Sequence, residues 1–103
     1  MNTKEEFLPI KYSGFYDVPL CFVVTYDEKT YVFWRGYFDE KIDDYPDSYK
    51  VFQIDASLEP NLVYDWNIDS IQKEYIREVP ISKVVFDETK RGFISPVVFA
   101  ILR

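Results

Sequence analysis

The chain has no histidine and a single cysteine among its 103 residues. Those two scarcities exclude more chemistry than any motif in it selects. Without histidine there is no Ser-His-Asp or Cys-His arrangement, and the side chain that most often serves as general base or metal ligand near neutral pH is missing. With one cysteine as well, zinc sites of the usual Cys/His kind are out. Cys21 has no second cysteine to form an intramolecular disulfide with. Its place in the apolar run 20–24 (Leu-Cys-Phe-Val-Val) marks it as a buried structural thiol. Glycine is scarce too: Gly14, Gly36 and Gly92 lie far apart, so no glycine-rich loop cradles a phosphate.

Long apolar runs are also lacking. The longest uncharged one, 93–102, is too short to cross a bilayer and contains Pro96. No apolar stretch follows the charged first six residues, so no secretory signal is expected, and a cytoplasmic location is. Acids outnumber bases, 18 Asp and Glu against 12 Lys and Arg, for a formal charge of −6. That sign repels phosphates, so direct binding to nucleic acid or to an anionic membrane is not expected, whereas a basic protein partner is compatible. Catalysis would have to run on carboxylates, Lys and Tyr alone. Asp43 and Asp44 are adjacent in a loop and do not set the carboxylate separation that glycoside hydrolysis needs. The spacing of Asp39, Asp43, Asp44 and Asp47 does not match a D-x-[DN]-x-[DN]-G calcium loop and lacks its glycine. The expectation is a protein that is not an enzyme and holds no metal or cofactor.

What the chain does have is apolar and aromatic mass: 48% hydrophobic residues, 19% aromatic, mostly Tyr and Phe. That is too much for a disordered chain of this charge, and one domain spanning 1–103 is the expectation from length. Tyr and Phe favour strands. A short edge strand is expected over 7–12, broken at Ser13-Gly14. The strongest local signal is a hairpin, with strands at 20–26 and 31–38 around the polar turn 27–30. Neither face of those strands is plainly polar, so both faces need cover. Trp34 reads as buried mid-strand, and Arg35 is a lone cation among apolar neighbours, suited to a strand partner or a Tyr face. A third strand is expected over 49–55, then a loop over 56–61 with Pro60.

Helical spacing of Ile68, Ile71, Tyr75, Ile76 and Val79, with Asn67 or Asp69 to cap it and Pro80 to stop it, predicts one main helix over 67–78. Trp66 stands just before it and reads either as covering its end or as reaching the surface. A strand over 82–87 and a polar turn over 88–92 follow. The segment 93–102 then reads either as a strand interrupted at Pro96 or as a short helix starting near Ser95-Pro96. The order of elements points to an α+β fold: an antiparallel sheet of about five strands with one α-helix packed on one face.

The run 16–22 (Tyr-Asp-Val-Pro-Leu-Cys-Phe), followed by an aliphatic strand, a turn and Tyr31-Val-Phe-Trp34, resembles the opening of a family of small uncharacterised bacterial proteins. Those share a Y-D-x-P-L-x-F strand and a following strand with a Trp. Over roughly the first 40 residues, the resemblance implies a small bacterial or phage-encoded α+β domain. It transfers no catalytic or binding residue.

The densest feature is residues 37–49, YFDEKIDDYPDSY, where Asp39, Glu40, Asp43, Asp44 and Asp47 stand against Lys41 alone. Tyr37, Phe38, Tyr45 and Tyr49 frame them. Such charge repels itself and gives folding no evident benefit. Two readings follow: a solvated connection that keeps a sticky hairpin soluble, or a surface that steers a cationic partner and holds it with aromatic anchors. The second makes the chain a small acidic inhibitor or immunity-type protein, blocking a basic protein such as a nuclease or toxin. Its partner-binding residues would be Tyr37, Asp39, Glu40, Asp43, Asp44, Tyr45, Asp47 and Tyr49. The alternative is a structural or assembly subunit, a homodimer for instance, joined through the two-sided hairpin with Phe33, Trp34 or Phe38 at the interface.

Overall fold

The computed structural model describes residues 7–16, 18–58, 72–87 and 92–102. Among the described residues there are seven strands, the last three each followed by a short 3-10 turn: β1 (Leu8–Pro9), β2 (Lys11–Tyr16), β3 (Val18–Tyr26), β4 (Lys29–Trp34), β5 (Ser48–Ile54), β6 (Glu74–Pro80) and β7 (Phe93–Ile94). Strands β2 to β6 form one antiparallel sheet in sequence order, and β1 pairs with β7 in a second, two-stranded sheet. The architecture is therefore mostly β. The expected α+β class is overturned, because the helical segments among the described residues are single 3-10 turns.

The correction falls on 67–78. Its first part, with Trp66 before it, lies outside the described residues, but Glu74 onward is strand β6, paired with β5. The pairing explains the helix-like spacing. Tyr49 faces Val79 and Val51 faces Arg77, yet Phe52 faces Tyr75, so Ile76 is an extra residue in β6. A β-bulge of this kind offsets the alternation by one position. Ile76 and Val79, three apart, consequently both pack against the core on the same face. Glu74, Arg77 and Glu78 lie along an edge strand, where charge and a terminal proline discourage pairing with other chains.

The expected hairpin is present with a tighter turn. Tyr26 pairs with Lys29, leaving only Asp27 and Glu28 between, both at positive φ (55° and 66°). Two left-handed residues make a type I′ connection, whose twist suits the flanking strands. Ser13-Gly14 does not break the chain: β2 runs through it, with Gly14 at φ +75° beside Leu20. A Cβ there would stand 2.9 Å from the Leu20 side chain, and only glycine relaxes in that backbone region. The third strand, β5, lies within one residue of its expected bounds at each end. Residues 82–87 form a 3-10 turn (Ile81–Lys83) and a single bridge at Phe86 rather than a strand. Residues 93–102 combine the two alternatives: β7, then a 3-10 turn over Pro96–Ala100 whose first free N–H, that of Val97, donates to Ser95 Oγ.

Alternation sorts the sheet into two buried faces. On one, Phe22, Val24, Phe33, Tyr49, Val51 and Val79 meet Ile10, Val84, Ile94, Val98 and Phe99 from the small sheet and the C-terminal turns. Phe22 and Phe33 stack at 4.6 Å, and Tyr49 meets both edge-on. On the other, Cys21, Val23, Val32 and Ile54 form a smaller cluster with Trp34 against it. The C-terminal layer is held to the edge strand by Arg77, whose guanidinium donates to the carbonyl of Ile101.

Candidate functional site

The acidic segment begins where β4 ends. Trp34 is the last paired residue of the strand, and Arg35 N still donates to Leu20 O at 2.9 Å. Gly36 then takes φ +99°, a value open to glycine, and the chain leaves the sheet. It returns at Pro46, whose ring would lie 3.4 Å from a Cβ on Gly36. The expected strand end at Phe38 is thus four residues too late.

Arg35 forms the neck of this excursion. It is 5% exposed. Its Nε and Nη2 both donate to the carbonyl of Pro46, at 3.1 and 2.9 Å, and its guanidinium lies 5.5 Å from the centre of the Tyr45 ring. Above the neck, Asp39 and Asp44 exchange backbone hydrogen bonds at 2.8 and 3.3 Å. Two carboxylates cap the turn locally: Lys41 N donates to Asp39 Oδ1 at 2.9 Å, and Tyr45 N to Asp44 Oδ1 at 2.7 Å. Asp and Asn side chains fold chain reversals in this way. Asp43, at φ 56°, completes the reversal. Below, Asp47 O accepts from Ile81 N, and the hydroxyl of Ser48 donates to the Glu78 carboxylate, tying the segment's end to β6. The sequence offered two pictures, a slack solvated connection or a surface. The backbone is that of a small, hydrogen-bonded turn.

The side chains divide by height. Asp39, Glu40, Lys41, Asp43 and Asp47 are exposed, and Asp44 is half-buried. Tyr37 is 65% exposed, Phe38 43% and Ile42 60%, half of the exposed large apolar residues described in the chain. Tyr37 leans edge-on against Trp34 with ring centres 5.0 Å apart, and Phe38 edge-on against Tyr45 at 5.3 Å. Tyr45 is half-buried and belongs to the neck, between Arg35 and Phe38. Tyr49 is elsewhere altogether. It is fully buried in the sheet core, and its hydroxyl donates to Pro19 O at 2.6 Å. Burial pushes its phenol above the ordinary range, partly offset by the positive charge of Arg35 nearby. Tyr49 therefore offers no outward contact area.

Of the eight residues expected at a binding surface, the turn brings seven together and Tyr49 falls outside. Ile42 was missed, although one aliphatic residue amid Asp, Glu and Lys is a visible anomaly. Phe38 was noticed as framing but assigned to the alternative hairpin interface rather than to the partner-binding residues. The Tyr face expected for Arg35 is that of Tyr45, whereas its hydrogen bonds were invisible, because the acceptor is a backbone carbonyl and leaves no mark on side-chain identity.

Elsewhere, burial pushes the Cys21 thiol up to about 12, as expected of a structural cysteine on the second face. The hairpin's own faces are occupied: Phe33 is fully buried, and Val23 and Val32 nearly or wholly so. A concavity of about 390 Å³ opens between Gln53–Asp55 and Gln72–Glu74, with a mixed polar lining. Among the described residues no three Cys, Asp or Glu side chains gather as metal ligands, and no helix is long and apolar enough to cross a membrane. No family model, curated protein or solved structure matches the chain.

Proposed function

We propose that the chain is a cytoplasmic, non-catalytic binding protein of the inhibitor or immunity type. In this reading the turn at 37–47 blocks a basic protein, such as a nuclease or a toxin. The observation that carries it is the apolar crest. Tyr37, Phe38 and Ile42 stand exposed on a hydrogen-bonded turn that also carries the exposed acids Asp39, Glu40, Asp43 and Asp47. Exposed apolar residues cost solvation unless something covers them, and a polar charged rim around such anchors is how interface patches are built. The acids steer a cationic partner and make its approach sensitive to salt. Tyr45 and Asp44 support the turn from beneath, and Tyr49 belongs to the fold.

The test uses tagged wild-type protein and the triple variant D43N/D44N/D47N in lysate of the native host, at low and high salt, read by mass spectrometry. The expected result is one basic protein held by the wild type at low salt, released at high salt and not held by the variant. Equal capture by both proteins, or recovery of the bait alone, contradicts the reading.

A further inference from the structure

We infer that Arg35 is the positioning residue of the acidic turn: it holds the turn in one conformation before any partner arrives. The inference deepens the binding reading, and its consequence for affinity rests on that reading. Its structural content does not.

The argument starts from an oddity of burial. Arginine is among the residues least often buried, and Arg35 is 5% exposed at the end of a strand. Its strongest described contacts run to the backbone of the returning chain. Two of its donors, Nε and Nη2, converge on the single carbonyl of Pro46, and its guanidinium lies over the Tyr45 ring. A charge-assisted donor to a carbonyl is roughly twice as strong as a neutral one, and a planar fork loses little freedom in making it. The positive charge also stands at the root of a segment that carries five carboxylates against one lysine. Gly36 faces the Pro46 ring across the same neck, near enough that an added Cβ would lie 3.4 Å from it, so the two sides of the root run close together where the charged clamp joins them. Above the clamp, the Asp39–Asp44 bridge is the described backbone pairing that closes the turn. A bridge of one residue pair has little stability of its own, as isolated short pairings are marginal in water. The clamp supplies the remainder. A turn ordered in advance spares the partner the entropy of ordering it, which raises affinity without adding a contact.

The test is amide hydrogen exchange on wild type and Arg35→Lys, with Arg35→Gln as the stronger variant. Lysine keeps the charge and the stem but cannot offer a planar fork or a flat face. In Arg35→Lys the amides of Asp39 and Asp44 are expected to exchange about tenfold faster or more, and trypsin to cut after Lys41 correspondingly faster, while β4 and β5 amides keep their wild-type protection. Arg35→Gln should extend both effects. Unchanged exchange at Asp39 and Asp44 would show a self-supporting turn and overturn the inference. Acceleration spread equally through β4 and β5, or an Arg35→Lys protein that does not fold, would make Arg35 a residue of the core and overturn it as well. The binding proposal fails or survives separately, on whether the Asn variant loses its captured protein.

Discussion

Strands β3 and β4 bury Phe22, Val24, Val32 and Phe33 almost completely, whereas Tyr37, Phe38 and Ile42, a few residues further along, are 43–65% exposed. Both regions are rich in apolar side chains. The difference lies in what backs them. In the sheet, Phe22, Val24 and Phe33 have neighbours on paired strands and a covering layer from Ile94, Val98 and Phe99, and Val32 packs with Cys21, Val23 and Ile54 on the other face. In the turn, the apolar residues rest on one another and on the strand end, Tyr37 on Trp34 and Phe38 on Tyr45. The first region draws its stability from burial. The second is held by hydrogen bonds to main-chain atoms and by Arg35, and it leaves Tyr37, Phe38 and Ile42 largely exposed to solvent. The same residue type changes role between them: Tyr49 is core, Tyr45 is scaffold and Tyr37 is surface.

The comparison is broken most forcefully from inside the sheet. Phe33→Ala removes a ring stacked on Phe22 and edge-on to Tyr49 and Phe99. It should destabilise the fold by about 3–5 kcal/mol, read by urea denaturation. A loss below 1 kcal/mol would mean that the stacked core does not carry the fold. A smaller effect of opposite sign sits at the hairpin tip, where Glu28 holds φ 66°. Glu28→Gly relieves that strain and should stabilise the protein by about 0.5–1 kcal/mol, net of glycine's greater entropy loss. A destabilised variant would show that the Glu28 side chain contributes more than its backbone costs.

Legibility followed the same divide. The β3–β4 hairpin was readable because alternation and a polar turn are local signals, and β5 because its apolar positions keep period two. The edge strand β6 was misread as helix because the bulge at Ile76 sets two core residues three apart, and period three to four is the mark of a helix. A bulge is a property of the pairing with β5, so one segment read alone does not reveal it. In the turn, the density of Asp and Glu announced an unusual surface. Which Tyr faced outward was not legible, since Tyr37, Tyr45 and Tyr49 differ only in what the fold places behind them. The Arg35 clamp depends on Pro46 returning to the neck, a matter of chain path rather than composition.

The claim that most needs testing is that the acids of the turn are dispensable for folding. The direct measurement is the thermal unfolding of D43N/D44N/D47N beside wild type. Asn at 44 keeps an acceptor for Tyr45 N, and Asn at 43 tolerates the left-handed backbone as Asp does, so charge is the main thing removed. A midpoint equal to or above that of wild type, within about 0.5 kcal/mol or on the stabilising side, is the predicted result, because self-repulsion is relieved. A midpoint lowered by several degrees, or a chain that no longer folds, would contradict it and make those carboxylates part of what holds the structure together.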